Sequence, residues 1–226
     1  MSRGMERAPV RAVLFDLDGT LLDTAPDMVG AMNALRAEEG LPPIDFATAR
    51  AQVSHGSNGL MRIGYPQAQG ERLEGLRERF LNLYRARLID ETGFFPGGEA
   101  MLEHIEGAAM PWGVVTNKPG WLARPLLAGL GLDRRAGCLV SGDTLPVRKP
   151  HPEPLLYAAG ALGVAPAECA YVGDALRDIE AARAAGMRAL AASFGYVCEA
   201  DEHHLWPAEG WLAEPRDLIA WLEAPP

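Results

Sequence analysis

The chain has 226 residues, of which 48% are apolar and 23% are charged, and its formal net charge at pH 7 is −9. This composition is typical of a globular protein, and the acidic balance without a basic stripe argues against nucleic-acid binding. No segment approaches the ~18 uninterrupted apolar residues of a membrane span, and residues 1–10 lack the apolar run of a secretory signal. Three widely spaced cysteines, Cys138, Cys169 and Cys198, predict reduced thiols in a cytoplasmic protein.

The first predicted strand is the apolar run that ends at Phe15, and an acidic turn follows it at residues 16–20. In an extended chain, side chains two residues apart point the same way, so Asp16 and Asp18 can share one site. Two carboxylates that close repel each other, and a cation would relieve the repulsion. Taken alone, the pair is also compatible with a simple Asp-rich turn after a strand.

A helical segment is predicted next. Residues 26–40 place apolar side chains on one helical face, with Thr24 as a plausible N-cap. From residue 45 to residue 87 the apolar positions recur at spacings of three and four, with no strand-like alternation. The break at Pro96-Gly97-Gly98 ends this stretch. We therefore predict a small all-helical unit inserted after the first strand.

The rest of the chain alternates between predicted strands and helices. Strands are predicted at 112–115, 137–140, 170–172 and 187–192, and helices at 122–130, 152–162, 179–185 and 218–222. This alternation predicts an α/β fold with a doubly wound parallel sheet. Because ligands of such sheets bind outside the carboxyl ends of the strands, we expect one set of polar side chains to converge there: Asp16, Asp18, Thr116, Asn117, Asp174 and Asp178.

Four motifs in order carry a resemblance to a known family. They are the acidic turn at 16–20, Thr116 after the second core strand, Lys149 within residues 148–152, and the stretch 173–178. Across essentially the whole chain this set resembles the haloacid dehalogenase superfamily of phosphotransferases. The resemblance implies a Rossmann-like core domain made of residues 1–23 and 95–226, and a helical cap domain made of residues 24–94.

The resemblance also implies a role for each motif residue. Asp16 would be the nucleophile that forms an aspartyl phosphate, and Asp18 the general acid and base. Thr116 would hold the phosphoryl oxygens and Lys149 would offset negative charge. Oxygen ligands suit Mg²⁺, and the implied ligands are Asp16, Asp18 through its backbone carbonyl, Asp174 and Asp178. Two simpler interpretations stay open: Thr116 as a strand terminus, and Asp178 as a helix N-terminal charge.

Residues 53–60 resemble the substrate-facing cap loop of phosphoglycolate phosphatases. The substrate-binding residues so implied are His55, Ser57 and Asn58, and Asn117 is a further candidate beside Thr116. Arg62 and Lys118 are candidates for binding a substrate carboxylate. The simpler interpretations here are a glycine-bearing helix connection with a solvated histidine, and two surface charges.

Differences within the superfamily narrow the expected activity. Dehalogenases of this fold lack the second aspartate, and phosphonate hydrolases need a cap lysine, whereas residues 25–94 contain none. The overall likeness and the cap loop favour phosphoglycolate phosphatases. Three other stretches are at least as similar to N-acetylmuramic acid 6-phosphate phosphatases: residues 112–119, residues 173–179 and Phe194-Gly195-Tyr196. A sugar phosphomutase and a non-enzymatic, receiver-like phospho-accepting domain stay open as well. We predict a Mg²⁺-dependent phosphatase of a small organic phosphate ester, acting as a monomer or homodimer without nucleic-acid or membrane partners.

Overall fold

The structure, a computed structural model, describes residues 8–198 and 201–224, so both ends of the predicted core domain, at residues 1 and 226, lie outside the described residues. The strands in chain order are β1 (Ala12–Phe15), β2 (Leu22–Asp23), β3 (Gly93–Phe94), β4 (Trp112–Val115), β5 (Cys138–Val140), β6 (Cys169–Gly173), β7 (Arg188–Ala192) and β8 (Gly210–Leu212). Six of them form one parallel sheet in the order β5-β4-β1-β6-β7-β8. The strand order reverses beside β1, as in a doubly wound sheet.

The helices divide into two groups. Those between β2 and β3 are α1 (Ala25–Glu38), α2 (Phe46–Arg50), α3 (Gly56–Gly64) and α4 (Gly70–Arg85). Those that follow β3 are α5 (Gly98–Gly107), α6 (Gly120–Gly129), α7 (Glu153–Leu162), α8 (Leu176–Ala184) and α9 (Asp217–Glu223). Among the described residues, no helix combines the length and apolar character needed to cross a membrane.

The central strand β1 is buried on both faces of the sheet. Leu14 lies in one apolar cluster with Leu155 of α7, and the neighbouring Phe15 lies in another with Leu102 of α5 and Leu126 of α6. Successive side chains of a strand point to opposite faces, so helices must cover both sides, which is why β1 is a continuous apolar run. The predicted α/β fold with a doubly wound parallel sheet is confirmed.

A two-stranded antiparallel ribbon joins the helices α1–α4 to the sheet. Leu22 of β2 pairs with Phe94 of β3. The fully buried carboxylate of Asp27 on α1 binds the segment directly before β3. One Asp27 oxygen, Oδ2, accepts hydrogen bonds from the backbone N–H groups of Glu91 and Thr92, at 3.0 and 2.8 Å, and from the Thr92 hydroxyl at 2.8 Å. The ribbon therefore fixes where the helical insertion leaves and rejoins the sheet.

Four elements were not predicted: β2, β3, α5 and β8. Of these, β3 lies at the end of the segment predicted to be helical. Strands of two and three residues are too short to show an alternating pattern. Thr24 does occupy the N-cap position of α1, but its side chain makes no capping hydrogen bond; the Tyr196 hydroxyl accepts from the Ala25 N–H at 2.8 Å instead.

Candidate active site

Three strands of the sheet end at polar side chains that meet at one edge. Asp16 follows β1, Thr116 follows β4 and Asp174 follows β6, and all three are buried. The parallel ladder continues into the first two, because the Asp16 N–H donates to the Val172 carbonyl at 2.9 Å and the Thr116 N–H donates to the Val140 carbonyl at 2.9 Å. The sheet itself thus fixes the backbone from which these side chains project.

An acidic cluster lies at this edge. One carboxylate oxygen each from Asp16, Asp174 and Asp178 lies within 4.8 Å of the others, and all three residues are buried. Burial, followed by the negative charges of Asp16 and Asp178, raises the pKa of Asp174 to about 7. The Oδ1 atom of Asp174 is buried without a hydrogen-bond partner in the described structure. A buried set of carboxylate oxygens with one unsatisfied atom fits a hard divalent cation such as Mg²⁺.

Gly19 is required by the close approach of the acidic turn to this cluster. Its φ of +83° lies in the left-handed region, and a Cβ placed on it would lie 2.1 Å from Oδ2 of Asp174. Glycine alone satisfies both conditions without strain. The turn can therefore pass directly beside the carboxylate.

Lys149 neutralises part of the negative charge of this cluster. Its fully buried ammonium lies 2.9 Å from Oδ1 of Asp16 and 2.7 Å from Oδ1 of Asp178, and donates to the Tyr171 hydroxyl at 2.7 Å. Asp178 also accepts from the Ala175 N–H at 3.1 Å, so it caps the start of α8 as well as facing the cluster. Burial raises the pKa of Asp178 although the charge of Lys149 acts in the opposite direction.

Asn117 serves the backbone of Lys149. Its side-chain amide donates to the Lys149 carbonyl at 3.0 Å, and its amide oxygen accepts from the Lys149 N–H at 3.1 Å. Asn117 also lines the cavity described below. Asn117, which was predicted to bind substrate, therefore already uses its side-chain amide to hold the backbone of Lys149 in place.

Asp18 stands apart from the acidic cluster. Its Oδ1 atom accepts from the Thr24 hydroxyl and from the Lys118 ammonium, each at 2.7 Å. Lys118 is buried, and it also donates to the hydroxyl of Tyr84 on α4 at 2.7 Å. Lys118 is therefore not a surface charge, and two of its three ammonium hydrogens have protein partners.

A cavity of about 450 Å³ opens beside Asp16, between the sheet edge and the helices α1, α3 and α4. The predicted cap residues His55, Ser57, Asn58 and Arg62 line it, together with Thr116 and Lys118 of the core. His55 ends a 3₁₀ turn (Val53–His55), and α3 begins at the next residue. Burial and the positive charges of Arg177 and Arg62 lower the pKa of His55. This side of the cavity therefore carries the positive charges of Arg62 and Arg177, although the chain as a whole is acidic.

Besides Thr24 and Tyr84, the residues that contact the site without having been predicted as site residues include Ser54, Tyr171 and Arg177. The Ser54 hydroxyl donates to Oδ2 of Asp174 at 2.7 Å, while an Arg177 N–H donates to the Ser54 carbonyl at 2.8 Å. Tyr171 donates to the Val115 carbonyl at 2.9 Å beneath Lys149. Its position gave a usable signal, since a tyrosine inside a buried strand needs a partner for its hydroxyl.

The haloacid dehalogenase-like hydrolase family model matches residues 10–186. The chain belongs to this family. This hydrolase is 48% identical over 214 residues to a phosphoglycolate phosphatase of Xanthomonas campestris pv. campestris (strain 8004), covering 93% of this chain and 97% of the relative. It is 40% identical over 220 residues to an N-acetylmuramic acid 6-phosphate phosphatase of Pseudomonas aeruginosa, covering 97% of each. The crystal structure of a predicted phosphoglycolate phosphatase from Haemophilus somnus 129pt shares the fold, with a TM-score of 0.84 at 24% identity over 97% of this chain and 100% of that one.

These findings confirm the predicted superfamily and the prediction of a phosphatase-type hydrolase. They contradict the receiver-like interpretation, because the matching family consists of hydrolases. The roles predicted for individual site residues stay predictions at this point.

Proposed function

We propose that this hydrolase is a Mg²⁺-dependent phosphatase that cleaves a small organic phosphate monoester, of the phosphoglycolate type, through an aspartyl phosphate. The observation that carries the proposal is the buried cluster of Asp16, Asp174 and Asp178 at the carboxyl edge of the sheet, with Lys149 beneath it. The identity of 48% to a phosphoglycolate phosphatase over 93% of the chain supports the substrate type. In this proposal residues 24–94 form the cap and the remainder forms the core.

In the first step, an Asp16 oxygen bonds to phosphorus, the ester P–O bond breaks, and the leaving oxygen takes a proton from Asp18. In the second step, a water oxygen bonds to phosphorus, Asp18 accepts the water's proton, and the P–O bond to Asp16 breaks to release phosphate. Thr116 holds phosphoryl oxygens, and Lys149 offsets the charge that Asp16 shares with the phosphoryl group.

Mg²⁺ would be held by the carboxylates of Asp16 and Asp174, by the backbone carbonyl of Asp18, and by Asp178 directly or through water. When bound, it supplies positive charge that reduces the repulsion between Asp16 and the incoming phosphate. The unpartnered Oδ1 of Asp174 supports this assignment.

Two arginines support a substrate that carries a second negative group. Arg62 on α3 and Arg148 before Lys149 line the cavity, and within residues 8–198 and 201–224 neither forms an ion pair. Guanidinium groups bind carboxylates through paired hydrogen bonds. Together with His55, Ser57 and Asn58, they would contact the part of the substrate beyond the phosphate.

A second candidate is an N-acetylmuramic acid 6-phosphate phosphatase. The cavity of about 450 Å³ is the observation that favours it, because pockets of this size commonly hold ligands larger than a two-carbon acid. The 40% identity to the Pseudomonas aeruginosa enzyme also supports it. Both substrates carry a carboxylate as well as a phosphate ester.

The test is a side-by-side turnover screen of phosphoglycolate, N-acetylmuramic acid 6-phosphate and hexose phosphates, each with Mg²⁺ and with excess chelator. We expect chelator-sensitive phosphate release, highest on one of the two acidic esters. Phosphate release that is insensitive to the chelator would overturn the metal dependence. A preference for neutral hexose phosphates would overturn the proposed substrate type, and isomerisation without release would indicate a phosphomutase.

A further inference from the structure

We infer that Lys118 is a positioning residue for Asp18. Because Lys118 also bonds to the hydroxyl of Tyr84, its contact with Asp18 depends on the helical segment α1–α4. The inference rests on the proposed function, in which Asp18 protonates the leaving group. Asp18 and Lys118 belong to the core, whereas Tyr84 lies on α4 of the proposed cap. The ammonium of Lys118 bonds to both, at 2.7 Å each.

The use of lysine in this chain is selective. Of its 21 lysines and arginines, only Lys118 and Lys149 are lysines. Both lysines are buried, and each ion-pairs with a carboxylate of the acidic turn: Lys149 with Asp16 and Lys118 with Asp18. Lysine presents a compact ammonium with three rotatable donors on a flexible stem. Each of the two proposed catalytic carboxylates therefore has its own buried lysine.

The contacts leave one oxygen of Asp18 available for chemistry. Lys118 and Thr24 both bond to Oδ1, and within the described residues no donor bonds to Oδ2. The side chain keeps 18% of its surface exposed and lines the cavity. With Oδ1 held by two donors, the carboxyl cannot rotate freely, and Oδ2 is the atom that would carry the proton to the ester oxygen.

Tyr84 connects this arrangement to α4. The residue is 1% exposed, and its ring stacks on Phe80 of the same helix at a centroid distance of 6.3 Å. The ring is thus fixed by packing within α4, and its hydroxyl accepts a bond from the same ammonium that bonds to Asp18. If α4 moved away from the sheet edge, Lys118 would lose one of its two partners.

The leaving group provides a specific test of proton donation. An alkyl phosphate releases a strongly basic alkoxide and needs the proton of Asp18, whereas p-nitrophenyl phosphate releases a stable phenolate and needs little help. Because kcat/KM reports only steps up to the first irreversible one, it excludes the later attack of water. Loss of positioning at Asp18 must therefore lower kcat/KM for β-glycerophosphate more than for p-nitrophenyl phosphate.

We would measure this ratio, alkyl over aryl, for Lys118→Met, Lys118→Arg, Tyr84→Phe and Tyr65→Phe. General acid catalysis contributes about 10²–10⁴-fold, so we expect Lys118→Met to lower the ratio about 10-fold or more. Tyr84→Phe should lower it less, and Lys118→Arg should restore part of the loss. Tyr65→Phe is the matched control, because its buried hydroxyl has no hydrogen-bond partner in the described structure, and its ratio should equal that of the unmodified protein.

Asp18→Asn separates the two hypotheses. If it leaves the ratio unchanged, the proposed role of Asp18 is wrong. If it lowers the ratio but Lys118→Met does not, or if Lys118→Met lowers both rates equally, the inference about Lys118 alone is overturned. A rise in KM confined to acidic esters would instead make Lys118 a substrate ligand. Should Lys118→Met fail to fold, unchanged ratios in both Lys118→Arg and Tyr84→Phe would overturn the inference.

A second measurement does not depend on turnover. With only two lysines in the chain, selective ¹³C labelling of lysine gives two side-chain signals, which Lys118→Arg assigns. In the metal-free protein, Tyr84→Phe should shift the Lys118 signal and leave that of Lys149 unchanged. No shift at Lys118 would contradict the contact with Tyr84.

Discussion

Replacing Lys149 with methionine tests the electrostatics of the site without substrate. The substitution keeps the length of the side chain and removes the charge that lies 2.9 Å from Asp16 and 2.7 Å from Asp178. Removing one partner of a buried ion pair costs about 3–5 kcal/mol, because the other charge is left without compensation. Since Lys149 serves two carboxylates and the Tyr171 hydroxyl, we expect the upper part of that range. For a chain of this length, such a loss lowers Tm by about 10 °C or more.

The loss of stability in Lys149→Met must also depend on pH. The charge of Lys149 holds down the pKa of Asp178, which burial already raises above its ordinary value of 3.8. Without the lysine this pKa rises further. A carboxyl whose pKa is higher in the folded than in the unfolded state favours folding at low pH, and that contribution disappears as the pH rises through the folded-state pKa. The difference in unfolding free energy between the two proteins should therefore be smallest near pH 4 and grow towards pH 8.

The assay is urea unfolding of both metal-free proteins at several pH values between 4 and 8.5. Arg124→Met is the control, because it removes an exposed cation from α6, and it should change the unfolding free energy by less than about 0.5 kcal/mol at every pH. A Lys149→Met protein as stable as the unmodified one at pH 8 would refute the reasoning. So would a loss of the same size at all pH values.

Three further predictions concern the acidic cluster. Asp16→Asn should reduce phosphate release to background in a protein that still folds, and retained turnover would exclude Asp16 as the nucleophile. Because the pKa of Asp174 is about 7, Mg²⁺ must displace a proton below that pH; calorimetry in two buffers should detect about one proton released per ion at pH 6 and much less at pH 8.5, and pH-independent release would contradict this. Gly19→Ala places a methyl group 2.1 Å from Oδ2 of Asp174 and requires alanine to adopt a φ of +83°. It should lower the unfolding free energy by at least about 1–2 kcal/mol and weaken Mg²⁺ binding. An unchanged Mg²⁺ affinity would show that the turn can move aside.

The sequence predicted the sheet and its acidic edge for a physical reason. Strands such as β1 and β6 are short apolar runs buried on both faces, and each ends directly at an aspartate, so the position of Asp16 and Asp174 follows from the pattern alone. The ribbon of β2 and β3 could not be predicted, because two residues show no period. Its register depends on long-range support, such as the hydrogen bonds that the Asp27 carboxylate accepts from the N–H groups of residues 91 and 92.

The burial of Lys118 could not be predicted for a different reason. A lysine in a polar segment after a strand has no local feature that distinguishes a buried ion pair from a surface charge. The partner that buries it, Tyr84, lies 34 residues earlier on α4, and only the packing of that helix against the sheet edge brings the two together. The same holds for Ser54, which reaches Asp174 across 120 residues of sequence.

The two lysines differ in what holds them, and this difference has a consequence for catalysis. The ammonium of Lys149 contacts Asp16, Asp178 and Tyr171, which all follow or belong to strands and helices of the sheet domain. Lys118 takes one of its partners from α4. A displacement of α1–α4 would therefore leave the nucleophile and its counter-charge intact while weakening the hold on Asp18. On the proposed mechanism, such an open form would have to break the ester bond with a poorly protonated leaving group. Bond cleavage is therefore favoured when α4 lies against the site and water is excluded.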